Sequence, residues 1–157
     1  MPLRVVIDTR EQRPWSFPAG LVEATIGTLR TGDYALAGDD AFAIERKSLD
    51  DFLGTISTGW ERFLREIGRM EGAGFAARVV IVEADLEACC FRESPAGEIV
   101  PPAHNHPLLS PQFVLKRVAE LAFMGVAVLF AGSPDHAAAL AYALLSERSR
   151  NVRSQEI

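Results

Sequence analysis

The stretch Gly32-Asp33-Tyr34-Ala35-Leu36-Ala37-Gly38-Asp39-Asp40-Ala41-Phe42-Ala43-Ile44-Glu45-Arg46-Lys47-Ser48-Leu49-Asp50-Asp51 decides how this chain folds. It reads as a hairpin: a strand through Tyr34-Ala35-Leu36, a turn at Gly38-Asp39-Asp40, and a return strand through Phe42-Ala43-Ile44. Glu45 and Lys47 are two positions apart, so on a strand they share one face, while Phe42 and Ile44 point the other way, into a core. A carboxylate and an ammonium side by side at the end of a buried strand are costly unless something pairs with both. A divalent cation and a phosphate would do so. Hard carboxylate oxygens suit Mg²⁺ or Mn²⁺, and a neighbouring lysine can orient water and steady charge developing on phosphorus. Asp33 lies across the hairpin, within reach of the same ion. Lys47 is one of two lysines set against fourteen arginines, which weakly favours a specific role for it. The competing reading is a plain hairpin with solvated charges, since an acid followed by Glu-x-Lys recurs by chance.

Upstream, Leu3 to Ile7 is a short apolar run with β-branched residues, predicted to be a buried central strand, and it ends in Asp8-Thr9-Arg10-Glu11. On residue type alone Asp8 is a turn or cap. Gln12 to Gly20 is loop by its prolines and glycine, and its Trp15 and Phe17 read better as plugs of a core edge than as bases' stacking partners. Val22 to Leu29 is predicted to be a strand that feeds the hairpin. Downstream the period changes. Ser48 caps a helix carrying Leu49, Phe52, Leu53 and Ile56 on one face, and Asp50 there complements the macrodipole. Thr58-Gly59 breaks it. A second helix runs from Trp60 or Glu61 to about Met70, with Phe63, Ile67 and Met70 inward and Arg62, Arg65 and Arg69 on or beside the other face. Val79 to Val82 is a further buried strand, ended by Glu83. Residues 86–110 read as a long irregular connection, a flap rather than a metal loop despite His104 and His106. Ser110-Pro111 starts a helix to Met124, in which Lys116 and Arg117 are placed to touch a DNA backbone. Val126 to Phe130 is the last strand, followed by a helix from Ser133 to about Arg148 and a polar tail over 149–157.

Strands alternating with helices predict an α/β fold. The 157 residues suffice for one well-buried core, expected as a single domain over 1–157. No apolar run reaches membrane-spanning length, and a signal peptide pattern is missing. Cys89 and Cys90 are adjacent, a poor geometry for a structural disulfide, so a cytoplasmic, reducing compartment is expected. The net charge of −5 argues against coating nucleic acid by bulk electrostatics. It leaves room for an acidic metal site with a local arginine patch.

Gly32-Asp33 followed by Glu45-Arg46-Lys47 and then Asp51 resembles the GD…ERKxxxD signature of the XPF-like nuclease domain family, shared by XPF and archaeal Hef. The resemblance extends to Val5-Val6-Ile7-Asp8-Thr9-Arg10-Glu11, to Val80-Ile81-Val82-Glu83 and to Gly125 through Phe130, roughly residues 3–150. It implies a restriction-endonuclease-like core, a mixed central sheet flanked by helices. It implies a Mg²⁺ or Mn²⁺-dependent DNA endonuclease selective for flap, fork or junction DNA in repair or recombination, nucleoid-associated in a bacterium. Asp33, Glu45 and Asp8 are then expected to bind metal, Glu11 to complete the acidic cluster, and Lys47 to position or activate water. Arg10, Arg46, Asp51, Arg62 and Arg65 are expected to grip DNA or orient the site. Family members commonly start the second helix with Gly-Arg; here Trp60 follows Gly59, so Arg62 or Arg65 is the expected substitute, and Glu66 falls near a family glutamine. A homodimer or heterodimer through the last two helices is expected. The sequence runs for about one domain, so a stand-alone form without helix-hairpin-helix repeats is expected, with a partner supplying extra DNA binding. The rival reading is a non-catalytic DNA-binding or scaffold subunit, which the intact Asp33, Glu45 and Lys47 disfavour. A restriction or recombination nuclease on the same core is a third.

Overall fold

A computed structural model describes residues 1–90, 92–102, 104–106 and 108–155. Phe91, Ala103 and Pro107 of the expected flap, and Glu156 and Ile157 of the expected tail, lie outside the described residues.

The hairpin forms where its alternation predicts. Strand β3 is Tyr34–Leu36 and β4 is Phe42–Lys47, paired antiparallel with Tyr34 opposite Ile44. Around it, β1 (Leu3–Asp8), β2 (Val22–Gly27), β5 (Ala77–Val82) and β8 (Val126–Phe130) complete a six-stranded sheet in the order β2-β1-β3-β4-β5-β8. Pairs β1–β2, β4–β5 and β5–β8 are parallel, and β1–β3 is antiparallel. The expected mixed sheet is thus present, with one difference in wiring. Val22–Gly27 does not feed the hairpin as its neighbour. It lies on the outer edge of the sheet, parallel to β1, so the chain passes the Asp8 end of β1, where the Leu29 N–H meets Asp8, before Gly32 opens β3.

Helix α1 (Leu49–Ile56) is capped by Ser48, whose hydroxyl accepts the Asp51 N–H. Helices α2 (Trp60–Gly72) and α3 (Pro111–Phe123) cover the same sheet face as α1, burying Phe52, Leu53, Ile56, Phe63, Ile67, Val114 and Leu121 against Val80 and Val82. The other face carries α4 (Pro134–Gln155), whose Ala137, Ala138, Ala141 and Leu145 pack with Trp15 on Val5, Ile7, Tyr34, Phe42, Ile44, Val79 and Ile81. Strand β5 is buried on both faces, which is why Val79-Val80-Ile81-Val82 is continuously apolar. The expected tail from residue 149 is helical through Gln155, because α4 continues past Arg148, itself anchored on Asp39 at 2.6 and 2.9 Å. Residues 86–110 are more ordered in part than expected: a 3₁₀ turn over Leu86–Cys89 and a two-stranded ribbon, β6 (Arg92–Glu93) with β7 (Ile99–Val100), interrupt them. No helix among the described residues is long and apolar enough to cross a membrane.

Candidate active site

The C-terminal ends of β1 and β4 and the start of β3 meet at one end of the sheet, where the backbone of Asp33 ties them together. Its N–H donates to the Ile44 carbonyl at 2.8 Å, and its carbonyl accepts the Asp8 N–H at 2.9 Å. Gly32 makes this possible. It sits at φ +75°, and a Cβ there would stand 2.7 Å from the Ala43 Cβ and 3.2 Å from the Ile44 oxygen. Gly32→Ala therefore meets backbone strain and a clash at once. An unfolding titration is expected to read about 2–4 kcal/mol of destabilisation, whereas Gly38→Ala, at positive φ but in open space, should cost distinctly less.

Asp33 and Glu45 face each other across the hairpin. The Asp33 carboxyl is pushed up to about 7, first by burial and then by the charge of Glu45, against the pull of the Arg46 N–H that Oδ2 accepts at 2.7 Å. Glu45 is also raised, by burial, with Glu66 adding to the rise and Lys47 opposing it. Lys47 Nζ lies 3.2 Å from Glu45 Oε1, and both side chains are largely buried. Two acids crowded at low exposure beside one lysine form a site that gains from a cation. Both ligands are hard oxygens, and Mg²⁺ is commonly held by one or two carboxylates with waters filling the rest. Asp33 and Glu45 therefore suit such an ion. Among the described residues no three Asp, Glu, His or Cys side chains are grouped closely enough to hold a metal.

The other expected site residues are placed as follows. Asp8 is fully buried, and its carboxylate is used up inside the fold: Oδ1 accepts the Arg10 N–H at 3.0 Å and the Arg10 Nε at 2.6 Å, and Oδ2 accepts the Leu29 N–H at 2.8 Å. The Arg10 side chain holds the Asp8 carboxyl down at about 2. Arg10 is otherwise exposed, and its charge reaches Asp33 and Glu45. Glu11 turns to the face opposite Glu45, where it accepts from Tyr34 Oη at 3.1 Å and Arg46 Nη1 at 2.9 Å. Arg46 is held there by Glu83, by the Arg13 carbonyl, and by the Trp15 ring 5.2 Å from its guanidinium carbon. Asp51 is exposed and forms no ion pair with a described residue. Arg62 and Arg65 are exposed on α2, the helix that carries Glu66 toward Glu45.

Two residues that complete this arrangement had no signal of that role in the sequence. Trp15 stacks on Tyr34 at 4.4 Å between centroids and donates Nε1–H to Glu83 Oε1 at 2.9 Å. Glu83, which reads only as a strand end, shares Arg46 with Glu11. Arg117 does not face outward toward DNA as expected: its guanidinium packs 4.1 Å from the Trp60 ring centroid and donates to the Ile56 carbonyl, joining three helices. Of the flap, Asn105 and His106 contact Asp50 at the start of α1, at 3.3 and 3.7 Å. Both cysteines are free.

The sequence model of the family described as the ERCC4 domain matches residues 7–144. The chain belongs to the ERCC4 domain family. Every expected site residue of this ERCC4 domain, from Asp8 to Arg65, falls inside the matched region. Among solved structures, XPF from Aeropyrum pernix is similar with a TM-score of 0.63 and 20% identity over 98% of this chain and 68% of that one. XPF from Aeropyrum pernix in complex with DNA gives a TM-score of 0.61 and 22% identity over 95% of this chain and 66% of that one. The ERCC4 domain thus has the fold of these archaeal structures and spans about two thirds of their length. Both the resemblance to XPF-like domains and the expected mixed sheet flanked by helices hold. No curated protein sequence matches the chain.

Proposed function

We propose that this ERCC4 domain is a Mg²⁺ or Mn²⁺-dependent DNA endonuclease that selects flap, fork or junction DNA in repair or recombination. The observation that carries this reading is the pair of raised, largely buried acids, Asp33 and Glu45, with Lys47 at 3.2 Å. Asp33 and Glu45 would hold the ion. When bound, it would supply a Lewis acid for a phosphoryl oxygen and a lowered pKa for attacking water. Lys47 donates to Glu45 in the free protein, and its remaining protons are available to water or to a non-bridging phosphate oxygen. Arg46 acts through its backbone, orienting Asp33, while its side chain is committed to Glu11 and Glu83. Asp8 and Glu11, expected as members of the acidic cluster, are better supported as positioning residues: Asp8 fixes the loop before Asp33, and Glu11 fixes Arg46. Arg62 and Arg65, free on the helix beside Glu45, suit DNA phosphates. Asp51 has no comparable support.

The test is cleavage of a labelled panel (linear duplex, single strand, 3′ flap, fork, four-way junction) with Mg²⁺ or Mn²⁺, beside a Glu45→Ala protein of confirmed fold. Metal-dependent cutting of branched DNA that the substitution abolishes is the expected outcome. Metal-independent binding without cutting would replace this reading with a scaffold subunit.

We also propose a dimer through the C-terminal helices. Leu115, Ala119, Ala122 and Phe123 form an exposed stripe on α3, and Phe123 is 96% exposed. Phe123→Asp is expected to convert a dimer to a monomer in sedimentation velocity while leaving the melting temperature of the monomer within a few degrees. An unchanged sedimentation coefficient would remove this face from the interface.

A further inference from the structure

Beside the carboxylate pair lies a cleft of about 240 Å³ between the Thr28–Thr31 loop and the C-terminal end of α2. It has a floor of Ala43, Met70 and Phe75, and a rim bearing the guanidiniums of Arg30 and Arg69 and the hydroxyls of Thr28 and Thr31. Two carboxylates also line it. Asp39 is already neutralised by Arg148 at 2.6 Å, leaving Asp40 as the single uncompensated acid against two arginines. Arg30 and Arg69 are exposed, and neither is in an ion pair with a described residue.

The position of the cleft matters as much as its lining. Its wall, Thr28–Thr31, runs directly into Gly32-Asp33, and its floor residue Ala43 is two places before Glu45 on the same face of β4. Two residues along a strand span about 7 Å, a distance of one or two nucleotides along a DNA strand. The volume is just below that of ordinary small-molecule sites. It is the size of one nucleotide and too narrow for a duplex. A mixed lining of this kind, with an apolar floor that includes an aromatic ring and a cationic rim, suits a base that has left its stack and the phosphate attached to it.

We infer that this cleft takes a single unpaired nucleotide of the DNA strand next to the bond that is cut, base against Phe75 and Met70, phosphate between Arg30 and Arg69. The inference rests on the nuclease reading above for the identity of the strand, and it gives that reading a source of selectivity. A paired nucleotide cannot enter, so the site favours DNA whose strands have already separated.

The experiment titrates the ¹⁵N-labelled full chain, without metal, with thymidine 5′-monophosphate, thymidine and inorganic phosphate in turn, and then with a ten-residue thymidine oligonucleotide. For the monophosphate the expected result is amide shifts confined to Thr28–Thr31 and Met70–Phe75, with tighter binding than nucleoside or phosphate. Arg30→Gln with Arg69→Gln should weaken the oligonucleotide at least about 10-fold, the loss of charge-assisted phosphate contacts, while Arg153→Gln on the far side of the sheet should not. Monophosphate shifts elsewhere, equal binding of phosphate alone, or unchanged affinity in the double variant would overturn the inference. The cleavage panel separates the two readings. Cutting without cleft shifts sinks the cleft alone, and cleft shifts in a chain that cuts nothing sink the nuclease reading alone.

Discussion

Replacing Asp33 by Asn is expected to lower the cleavage rate by about 10³-fold or more and, at the same time, to make the metal-free protein more stable above pH 7. The two effects share one cause. Asp33 keeps its proton until about pH 7 in the folded chain, whereas an unfolded aspartate releases it near 3.8. Below about pH 4 both states hold the proton and the residue is neutral in effect. Between pH 4 and 7 only the unfolded state ionises, so stability falls as pH rises, and the full penalty is present above 7. Asn keeps the acceptor for the Arg46 N–H and has no proton to lose. The variant should therefore gain on the order of 2 kcal/mol at pH 8, about half of what the full shift would convert to, and nothing at pH 4. Thermal melts across that range check the sign. Added Mg²⁺ should raise the melting temperature of the wild-type chain and leave the variant unmoved. A variant less stable than wild type at pH 8 would mean that the acid is held by contacts rather than strained by its neighbours.

The second large effect is expected on the opposite face of the same strand. Arg46→Met keeps an unbranched apolar stem but leaves Glu11 and Glu83 without their shared cation, at 17% and 12% side-chain exposure. Removing one partner from a buried ionic cluster typically costs about 3–5 kcal/mol, about 10 °C in a domain of this size. The double variant Arg46→Met with Glu83→Gln should recover part of the loss, since one orphaned carboxylate is gone. Chemical denaturation of the three proteins gives the coupling. A single variant within 1 kcal/mol of wild type would show that the network does not hold the fold.

These two residues also mark how far the sequence could be read. Alternation alone placed Glu45 and Lys47 on one face and Arg46 on the other, because strand period is a local property. It could not name the partners of Arg46: Trp15 and Glu83 are brought to it by the closing of the sheet, from 31 residues before and 37 after. The Ser48 cap and the inward faces of α1 and α2 were legible for the same local reason. The place of Val22–Gly27 was not. Its composition shows a strand, but its neighbour is chosen by which side of β1 remains open once β3 has paired there. Asp8 reads on residue type as a turn or cap, and only the family resemblance made it an expected ligand. Its three hydrogen bonds come from Arg10 and from Leu29, a loop residue brought there where the chain passes the end of β1 from β2 to β3. The end of α4 escaped notice because Arg, Ser and Asn after residue 148 carry no apolar period to announce a helix.

Among the described residues the ribbon of β6 and β7 pairs only with itself, Arg92 with Val100 and Glu93 with Ile99, and closes through Ser94 and Gly97 without lending a hydrogen bond to the six-stranded sheet. Length at its tip is therefore uncoupled from the register that sets Asp33 against Glu45. A fluorophore or an additional recognition module could be grafted at residues 95–97 with the carboxylate end of the sheet left as it is. The chain holds, in one fold, a fixed chemical end and a modular appendage whose size can vary independently of it.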